Sequence, residues 1–471
     1  MKEGTKPTDK QQSFDFVTED NMSLLTDLYE LTMCASYFDN NRTGPATFDL
    51  FIRKLPAERS YYVVAGLEQV LLYLKDATFA PAQIDYLRKR GFKEKFLNYL
   101  QGFKFSGEVW AIPEGTLVFA DEPLIRVTAP IIEAQLVESF LLNTVNLQTM
   151  IATKASRVVH AAQGRSVVEF GLRRTQGADA AMKAARCSYI AGCSGTSNVL
   201  AGMKYDIPVF GTMAHSFVML FDKEVEAFRA FSRTFPKTST LLIDTYDNIK
   251  GARNAVIVAK ELERKGFRLG GVRIDSGDLA EVSKRVREIL DEKGFNYVKI
   301  FASGDLDENK IQDLLQKGAK IDSFGVGTRM STSEDRPYVD IIYKLCERMD
   351  KSGKFVPTMK LSRGKKTLPA RKQVYRVSDK AGNFIKDTIA LHDEKTEGTP
   401  LLVKVMEKDE MTRELPTLKQ IRENASENLA RLPEKYKLLK GASHYPVVCS
   451  PELKRLLKDV TNELRKIERS S

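Results

Sequence analysis

Gly271-Val272-Arg273-Ile274-Asp275-Ser276-Gly277-Asp278-Leu279 is the stretch on which the fold turns. Val272 and Ile274 read as the end of a buried strand, with Arg273 and Asp275 alternating about Ile274. Asp278-Leu279-Ala280-Glu281-Val282 opens a helical pattern. Ser276 is placed to cap that helix, and Gly277 frees a backbone N–H for close approach by a ligand. Strand, polar turn and helix within so few residues make a βα unit. A cation and two carboxylates at the junction suit a polar site and not a packed core. Taken alone, they are equally met by an ordinary capped turn with a surface ion pair.

The same unit recurs on either side. β-rich runs lie at Ser166–Phe170, Ile207–Phe210, Thr240–Ile243, Gly271–Ile274, Tyr297–Phe301 and Ile321–Val326. Helical patterns separate them, at Asp179–Ala191, Val225–Phe235, Lys250–Lys265, Leu279–Glu292 and Asp307–Lys317. Repeated βα units predict a parallel sheet, doubly wound or closed as a barrel. Each strand ends in polar, glycine-rich sequence: Glu169-Phe170-Gly171-Leu172-Arg173-Arg174, Gly211-Thr212-Met213-Ala214-His215-Ser216, Asp244-Thr245-Tyr246-Asp247, Arg273 to Asp278, Ser303-Gly304-Asp305 and Gly325-Val326-Gly327-Thr328-Arg329. The helix-to-strand connections, such as Lys265-Gly266-Phe267, are plain helix-ending turns. Ligands of βα folds bind at the C-terminal ends of the strands, so this asymmetry locates a site on one face.

The residue types suggest the ligand. Arg173, Arg174, Arg273 and Arg329 favour planar carboxylates and phosphates. Gly325-Val326-Gly327-Thr328 offers backbone N–H groups and a hydroxyl to a phosphate. Asp244, Asp247, Asp275 and Asp278 could accept from sugar hydroxyls or hold Mg²⁺. His215, one of four histidines, sits at a strand end where it could act as a base or as a nucleophile toward phosphate. The residues alone point to an enzyme acting on a phosphorylated sugar and an anionic planar partner.

The flanks differ. Upstream, Leu24–Phe38, Tyr61–Leu74, Pro81–Leu100 and Ile131–Ala162 read as helices, and Ala46–Leu55 as a strand. Short β-rich runs at Val109–Ile112, Thr116–Phe119 and Leu124–Val127, split by turn signals, predict a small sheet. After Tyr343 the alternation stops, and the rest predicts short strands at Val374–Val377, Thr388–Leu391 and Leu401–Val405 and helices at Pro416–Leu432 and Pro451–Arg469. This region is too poor in apolar residues for a core of its own and is expected to pack back on the N-terminal region.

Of the 471 residues, 42% are hydrophobic and 29% charged, which supports a large core and excludes a disordered chain. No apolar run reaches the roughly 18 residues of a membrane span. The polar stretch 1–20 has no apolar signal core and reads as a loose tail. Five scattered cysteines without metal-ligand spacing fit a reducing cytoplasm. The net charge of +11 is carried by residues 351–471, which hold 27 basic and 16 acidic residues. Residues 1–350 are neutral, which argues against a general nucleic-acid binder. One run, Lys360–Arg376, has seven basic residues and no acidic one; it could face phosphates or be a solvated loop.

Taken together, Leu24-Leu25-Thr26-Asp27-Leu28-Tyr29-Glu30-Leu31-Thr32-Met33, Glu169 to Arg174, Gly195-Thr196-Ser197-Asn198, Gly211 to Ser216, Arg273 to Asp278 and Phe324 to Thr328 resemble nicotinate phosphoribosyltransferase. The motifs come in that family's order, from about Leu24 to the C-terminal region. The resemblance implies an irregular, incomplete TIM-like α/β barrel beside an α/β sandwich built from both chain ends. Residues 21–150 would form the N-terminal sandwich part, 151–345 the barrel carrying the active site, and 346–471 the part packing back. It implies that nicotinate and 5-phosphoribosyl 1-diphosphate give nicotinate mononucleotide and diphosphate with coupled ATP hydrolysis, the entry to NAD salvage from nicotinate. Mg²⁺ is the expected cofactor, with its ligands unassigned, and a cytoplasmic homodimer with shared sites is the expected state, without membrane or nucleic-acid partners.

By the same resemblance, His215 would be the phosphorylated histidine, Asp244 its orienting partner, and Asp275 the ribose-hydroxyl acceptor. Tyr29, reaching across the dimer, and Phe170 would sandwich the pyridine ring. Arg173, Ser197, Thr212 and Arg273 would surround nicotinate. Ser303, Gly304, Gly325, Gly327 and Thr328 would join Asp275 around phosphoribosyl diphosphate. The related nicotinamide enzyme carries an aspartate where Ser197 stands. An aspartate would repel a carboxylate, so Ser197 favours nicotinate. Nicotinamide and, less so, quinolinate remain alternative substrates; a non-catalytic nucleotide sensor or a nucleic-acid binder acting through Lys360–Arg376 is the alternative of another class.

Overall fold

The computed structural model of the chain describes residues 17–362 and 367–470. Most of the tail expected over 1–20, and residues 363–366 of the basic run, lie outside the described residues. Six strands build the parallel sheet: β1 (Ser166–Glu169), β2 (Gly195–Thr196), β3 (Thr240–Leu242), β4 (Gly271–Ile274), β5 (Lys299–Ala302) and β6 (Ser323–Val326). They lie in the order β2-β1-β6-β5-β4-β3, each paired in parallel with its neighbour. The order runs cyclically through the chain and leaves one seam, between β2 and β3, without ladder hydrogen bonds among the described residues. The strand centres are apolar on both faces, as parallel sheets covered by helices require: Val167, Leu241, Val272, Ile274, Ile300, Phe324 and Val326 are all buried in one core.

β4 and the following helix Leu279–Glu292 fall where the sequence predicts them. The cap does not. Asp278, not Ser276, is the N-cap, its Oδ1 accepting from the N–H groups of Ala280 (3.0 Å) and Glu281 (3.3 Å). A carboxylate in that position also favours the positive end of the helix dipole. Ile207–Phe210 is not a strand; Val209 makes a single bridge to Thr196, and the strand in that place is Gly195–Thr196. Gly195 permits this, because a Cβ there would lie 2.2 Å from the Pro208 carbonyl oxygen.

The second layer interleaves the two chain ends. An antiparallel sheet runs Phe355–Pro357, Ile341–Met349, Pro45–Ile52, Pro123–Pro130, Glu108–Ala111, Val403–Glu407, Glu410–Met411. Thus the region after Tyr343 packs back by strand pairing, on both sides of the N-terminal strands. The helix expected from Tyr61 begins only at Leu67. Tyr62–Val63 pairs instead with Leu117–Val118, as aromatic and β-branched residues buried on all sides prefer. The helix expected over Pro81–Leu100 breaks at Gly91, whose φ of +89° continues no helix.

Candidate active site

Arg273 joins the strand ends into one site. Projecting from β4, its Nη1 donates to Thr212 Oγ1 (3.1 Å), its Nε to Ser303 Oγ (2.8 Å) and its Nη2 to Asp275 Oδ1 (2.9 Å). Its guanidinium carbon lies 5.7 Å from the centre of the Phe170 ring. One planar cation thus touches residues from three strand ends and, through Thr212, from the loop before His215, which its fork of donors allows and a lysine's point charge does not. The pair is not sealed: the Arg273 and Asp275 side chains keep 18% and 31% of their exposure.

Asp275 is held ionised. Burial alone would raise its carboxyl, but hydrogen bonds from Ser303 and Arg273, the Arg273 charge and nearby His215 outweigh that and keep it below the usual carboxylate range. Its backbone N–H donates to Asp244 Oδ2 (2.8 Å). Gly304, at φ +98°, lies so close to the Asp275 carbonyl that a Cβ would come within 2.2 Å of the oxygen. Gly304 therefore sets the spacing between the β4 and β5 ends.

His215 begins the helix His215–Met219 and is half-buried. Its Nδ1 lies 3.1 Å from Thr245 Oγ1. The expectation that Asp244 orients it is corrected: Asp244 Oδ2 is taken by the Asp275 N–H and the Ser276 hydroxyl (2.6 Å), and Oδ1 is buried without a hydrogen-bond partner. Asp244 braces the β4 turn, and the next residue meets the histidine.

On the β1 and β6 side the organiser is Glu169, which the motif contained but to which no role was attached. It is buried, accepts from the Gly171 N–H and Ser331 Oγ (2.9 Å) through Oε1, and from Thr196 Oγ1 (2.6 Å) through Oε2. A carboxylate ending a buried strand is the signal that could have exposed it. Gly325, expected beside the phosphate, has a packing role in the structure. It lies within β6, and a Cβ there would come 2.8 Å from atoms of both Phe170 and Phe301. Its bareness seats the Phe170 ring. Gly327 precedes the short helix Thr328–Ser331, and Thr328 Oγ1 accepts from Arg174 (3.2 Å). Arg173 is exposed and has no hydrogen bond or ion pair among the described residues. Arg329 is consumed internally by Asp305 (2.9 Å) and Asp307 (2.8 Å) and is not a free phosphate ligand.

Ser197 stands beside this cluster, its N–H donating to the Glu169 carbonyl (2.9 Å) and its hydroxyl without a partner among the described residues. Tyr29 is not gathered in by its own chain. It stays 48% exposed on the helix Leu28–Asp39, which packs on the helices Glu94–Gln101 and Ile131–Leu136. Burial, then Glu138 and Glu30, raise its phenol, so it is un-ionised at neutral pH. The basic run is no single surface. Lys372 pairs with buried Asp49 (2.7 Å), Arg376 with buried Asp387 (2.6 Å) and Arg371 with Glu347 (2.9 Å). Among the described residues no group of three or more His, Cys, Asp or Glu side chains is arranged to hold a metal. Two cavities, of about 190 and 170 Å³, lie among Asp49, Lys372 and Cys449 and between the helices Glu224–Thr234 and Asn248–Glu263; the strand-end residues line neither.

Three family models match in chain order: the nicotinate phosphoribosyltransferase N-terminal domain over residues 24–146, the nicotinate phosphoribosyltransferase family over 165–380, and the C-terminal domain over 395–457. A nicotinate phosphoribosyltransferase of Mycobacterium tuberculosis is 48% identical over 434 residues, 92% of each chain. That of Bacillus subtilis is 40% identical, over 92% of this chain and 94% of its own. The crystal structure of human nicotinic acid phosphoribosyltransferase superposes with a TM-score of 0.81 at 27% identity, covering 92% of this chain and 99% of that one. A nicotinate-nucleotide pyrophosphorylase from Pyrococcus furiosus follows at 0.72 and 27% identity, over 89% and 98%.

Proposed function

This chain belongs to the nicotinate phosphoribosyltransferase family, and from that premise we propose how its residues carry the reaction. It is an enzyme of NAD salvage from nicotinate, taking nicotinate and 5-phosphoribosyl 1-diphosphate to nicotinate mononucleotide and diphosphate. The pyridine nitrogen forms a bond to ribose C1 as the bond from C1 to the diphosphate breaks. Positive charge develops on the ribose and negative charge on the leaving group, so the site must favour both.

The observation that carries the assignment of roles is the shared position of Arg273, against Phe170 on one side and Asp275 on the other. In this reading nicotinate stacks on Phe170, in the offset manner of aromatic pairs, with its carboxylate toward Arg273 and the unpaired Arg173. Thr212 holds Arg273 in that pose. Ser197 leaves the carboxylate unopposed where an aspartate would repel it. Asp275, kept ionised, accepts from the ribose hydroxyls and faces the developing positive charge. Ser303 and Gly304 keep it there, and Gly327, Thr328 and Arg174 receive the 5′-phosphate. Mg²⁺ fits the donors at hand, because it takes one or two protein carboxylates together with substrate phosphates. Asp244, whose Oδ1 is buried and unpartnered, and Asp275 would hold it. It would neutralise the leaving diphosphate.

His215 is the acceptor of the ATP γ-phosphoryl group, which couples ATP hydrolysis to synthesis. The working unit is a homodimer. Leu25, Leu28 and Tyr29 are exposed on one face, and Val199, Leu200 and Met203 are exposed just beyond Ser197. Such patches are covered in a stable soluble protein, and an isologous contact would bring Tyr29 to the other face of the pyridine. A cytoplasmic setting agrees with five free cysteines. No helix of the described residues is long and apolar enough to cross a membrane.

The test is product analysis with nicotinate and phosphoribosyl diphosphate, with and without ATP, for the wild type and His215→Ala. ATP should raise the yield of nicotinate mononucleotide in the wild type and not in the variant. A yield that ATP still raises in the variant would refute the role of His215, and a clear preference for nicotinamide would refute the base.

A further inference from the structure

A histidine that accepts a phosphoryl group needs one ring nitrogen with a free lone pair, and the hydrogen bond made by the other nitrogen decides which one is free. In His215 that other nitrogen is Nδ1, and its partner is the hydroxyl of Thr245 at 3.1 Å. No carboxylate takes this place. Asp244, one residue earlier, spends Oδ2 on the Asp275 N–H and on Ser276 Oγ.

We propose that Thr245 is the positioning residue of His215, its hydroxyl engaging Nδ1 so that Nε2 is the ring nitrogen left to accept the phosphoryl group. The inference rests on the reading of His215 as the residue that takes phosphate from ATP, and adds to it the atom and its partner. In the reacting tautomer Nδ1–H donates to Thr245 Oγ1, a role the hydroxyl can take because it accepts as well as donates. The Nε2 lone pair forms the bond to the γ-phosphorus while the bond from that phosphorus to the bridging oxygen breaks, and its electron pair leaves with ADP. Nδ1 keeps its proton throughout, so the step needs no general base. A hydroxyl suits this task better than a carboxylate. It orients the ring without placing a second negative charge beside an arriving triphosphate, and like-charge approach is costly where water is partly excluded.

The experiment measures the phosphohistidine itself. The protein is incubated with ATP labelled in its γ-phosphate, the acid-labile label is counted, and phosphorus NMR of the intact protein assigns the ring nitrogen. Wild type should carry phosphate on Nε2 alone. Thr245→Val, which keeps the shape and loses the hydroxyl, should slow labelling about tenfold, the effect of losing one ordinary hydrogen bond. It should also distribute phosphate between the two nitrogens. Thr245→Ser should restore both rate and regiochemistry, which a merely space-filling role would not require. Phosphate on Nδ1 in the wild type overturns the proposal without recourse to any variant. So does a valine variant that labels at the wild-type rate on Nε2 alone. If His215 takes no label in the wild type, the reading beneath fails instead, and the two failures are distinguishable.

Discussion

Replacing Arg273 by alanine removes one guanidinium from four neighbours at once: Thr212, Ser303, Asp275 and the Phe170 ring. Two effects follow, and they separate by pH. The first is direct. The anionic substrates lose a charge-assisted partner in a partly desolvated site. Side-chain exposures of 18% and 31% leave the Arg273–Asp275 pair short of full burial. The loss should therefore be about 2–4 kcal/mol, toward the lower part of the range for truncating one member of a hydrogen-bonded charge pair. At 1.4 kcal/mol per tenfold, kcat/KM should fall about 30- to 700-fold. The second effect is on Asp275. Burial pushes its carboxyl up, and without Arg273 only Ser303 and His215 still oppose it. Its pKa should rise, and activity that needs the carboxylate should fail at a higher pH than in the wild type. Steady-state kinetics with nicotinate and with phosphoribosyl diphosphate, repeated from acidic to neutral pH, reads both. An unchanged KM for both substrates together with an unmoved acid limb would refute the placement of Arg273.

Three further outcomes are expected. Ser197→Asp should lower kcat/KM for nicotinate by about tenfold or more and spare nicotinamide, since a like charge near the substrate carboxylate repels only the former; equal losses for both would exclude this position from base selection. Gly325→Ala should raise KM for nicotinate more than for phosphoribosyl diphosphate, because a Cβ there meets Phe170 and Phe301 at 2.8 Å and must displace the stacking ring; the reverse order would return Gly325 to the phosphate side. Glu122 is fully buried beside Asp387, and burial, then that neighbour, holds its pKa well above the usual carboxyl value. The folded state therefore binds the extra proton, so this group's stabilising contribution is complete below the unfolded pKa of about 4.3 and is lost as pH rises through the folded value. Glu122→Gln should remove that decline, and urea midpoints of the two proteins should diverge in the variant's favour as pH rises; parallel curves would contradict it.

The sequence determined the alternation of strand and helix, the class of the fold and the face that carries chemistry. These depend on local signals. Apolar runs such as Val272 to Ile274 must be buried on both faces, the helix from Leu279 to Glu292 follows from its own periodicity, and the polar residues crowd at one end of every strand. Within the site, Phe170, Thr212, Arg273, Asp275 and Ser303 come together as the motifs imply. Partner identity was not legible. Asp244 and Thr245 are neighbours in the loop after β3, yet the carboxylate braces the β4 turn and the hydroxyl meets His215. Gly195–Thr196 was missed as a strand because a glycine pair-forming segment carries no apolar pattern; its place is set by the Pro208 carbonyl packed against it. Lys372 and Arg376 looked like part of a phosphate-facing run; the packing of the C-terminal region on the N-terminal strands gives Lys372 its buried Asp49, and the antiparallel pairing of Lys372–Ser378 with Phe384–Leu391 sets Asp387 opposite Arg376. Where a charge finds its partner hundreds of residues away, as Lys372 does in Asp49, or where neighbours in one loop take different partners, only the tertiary structure decides, because desolvation and side-chain direction exist only once the elements are side by side.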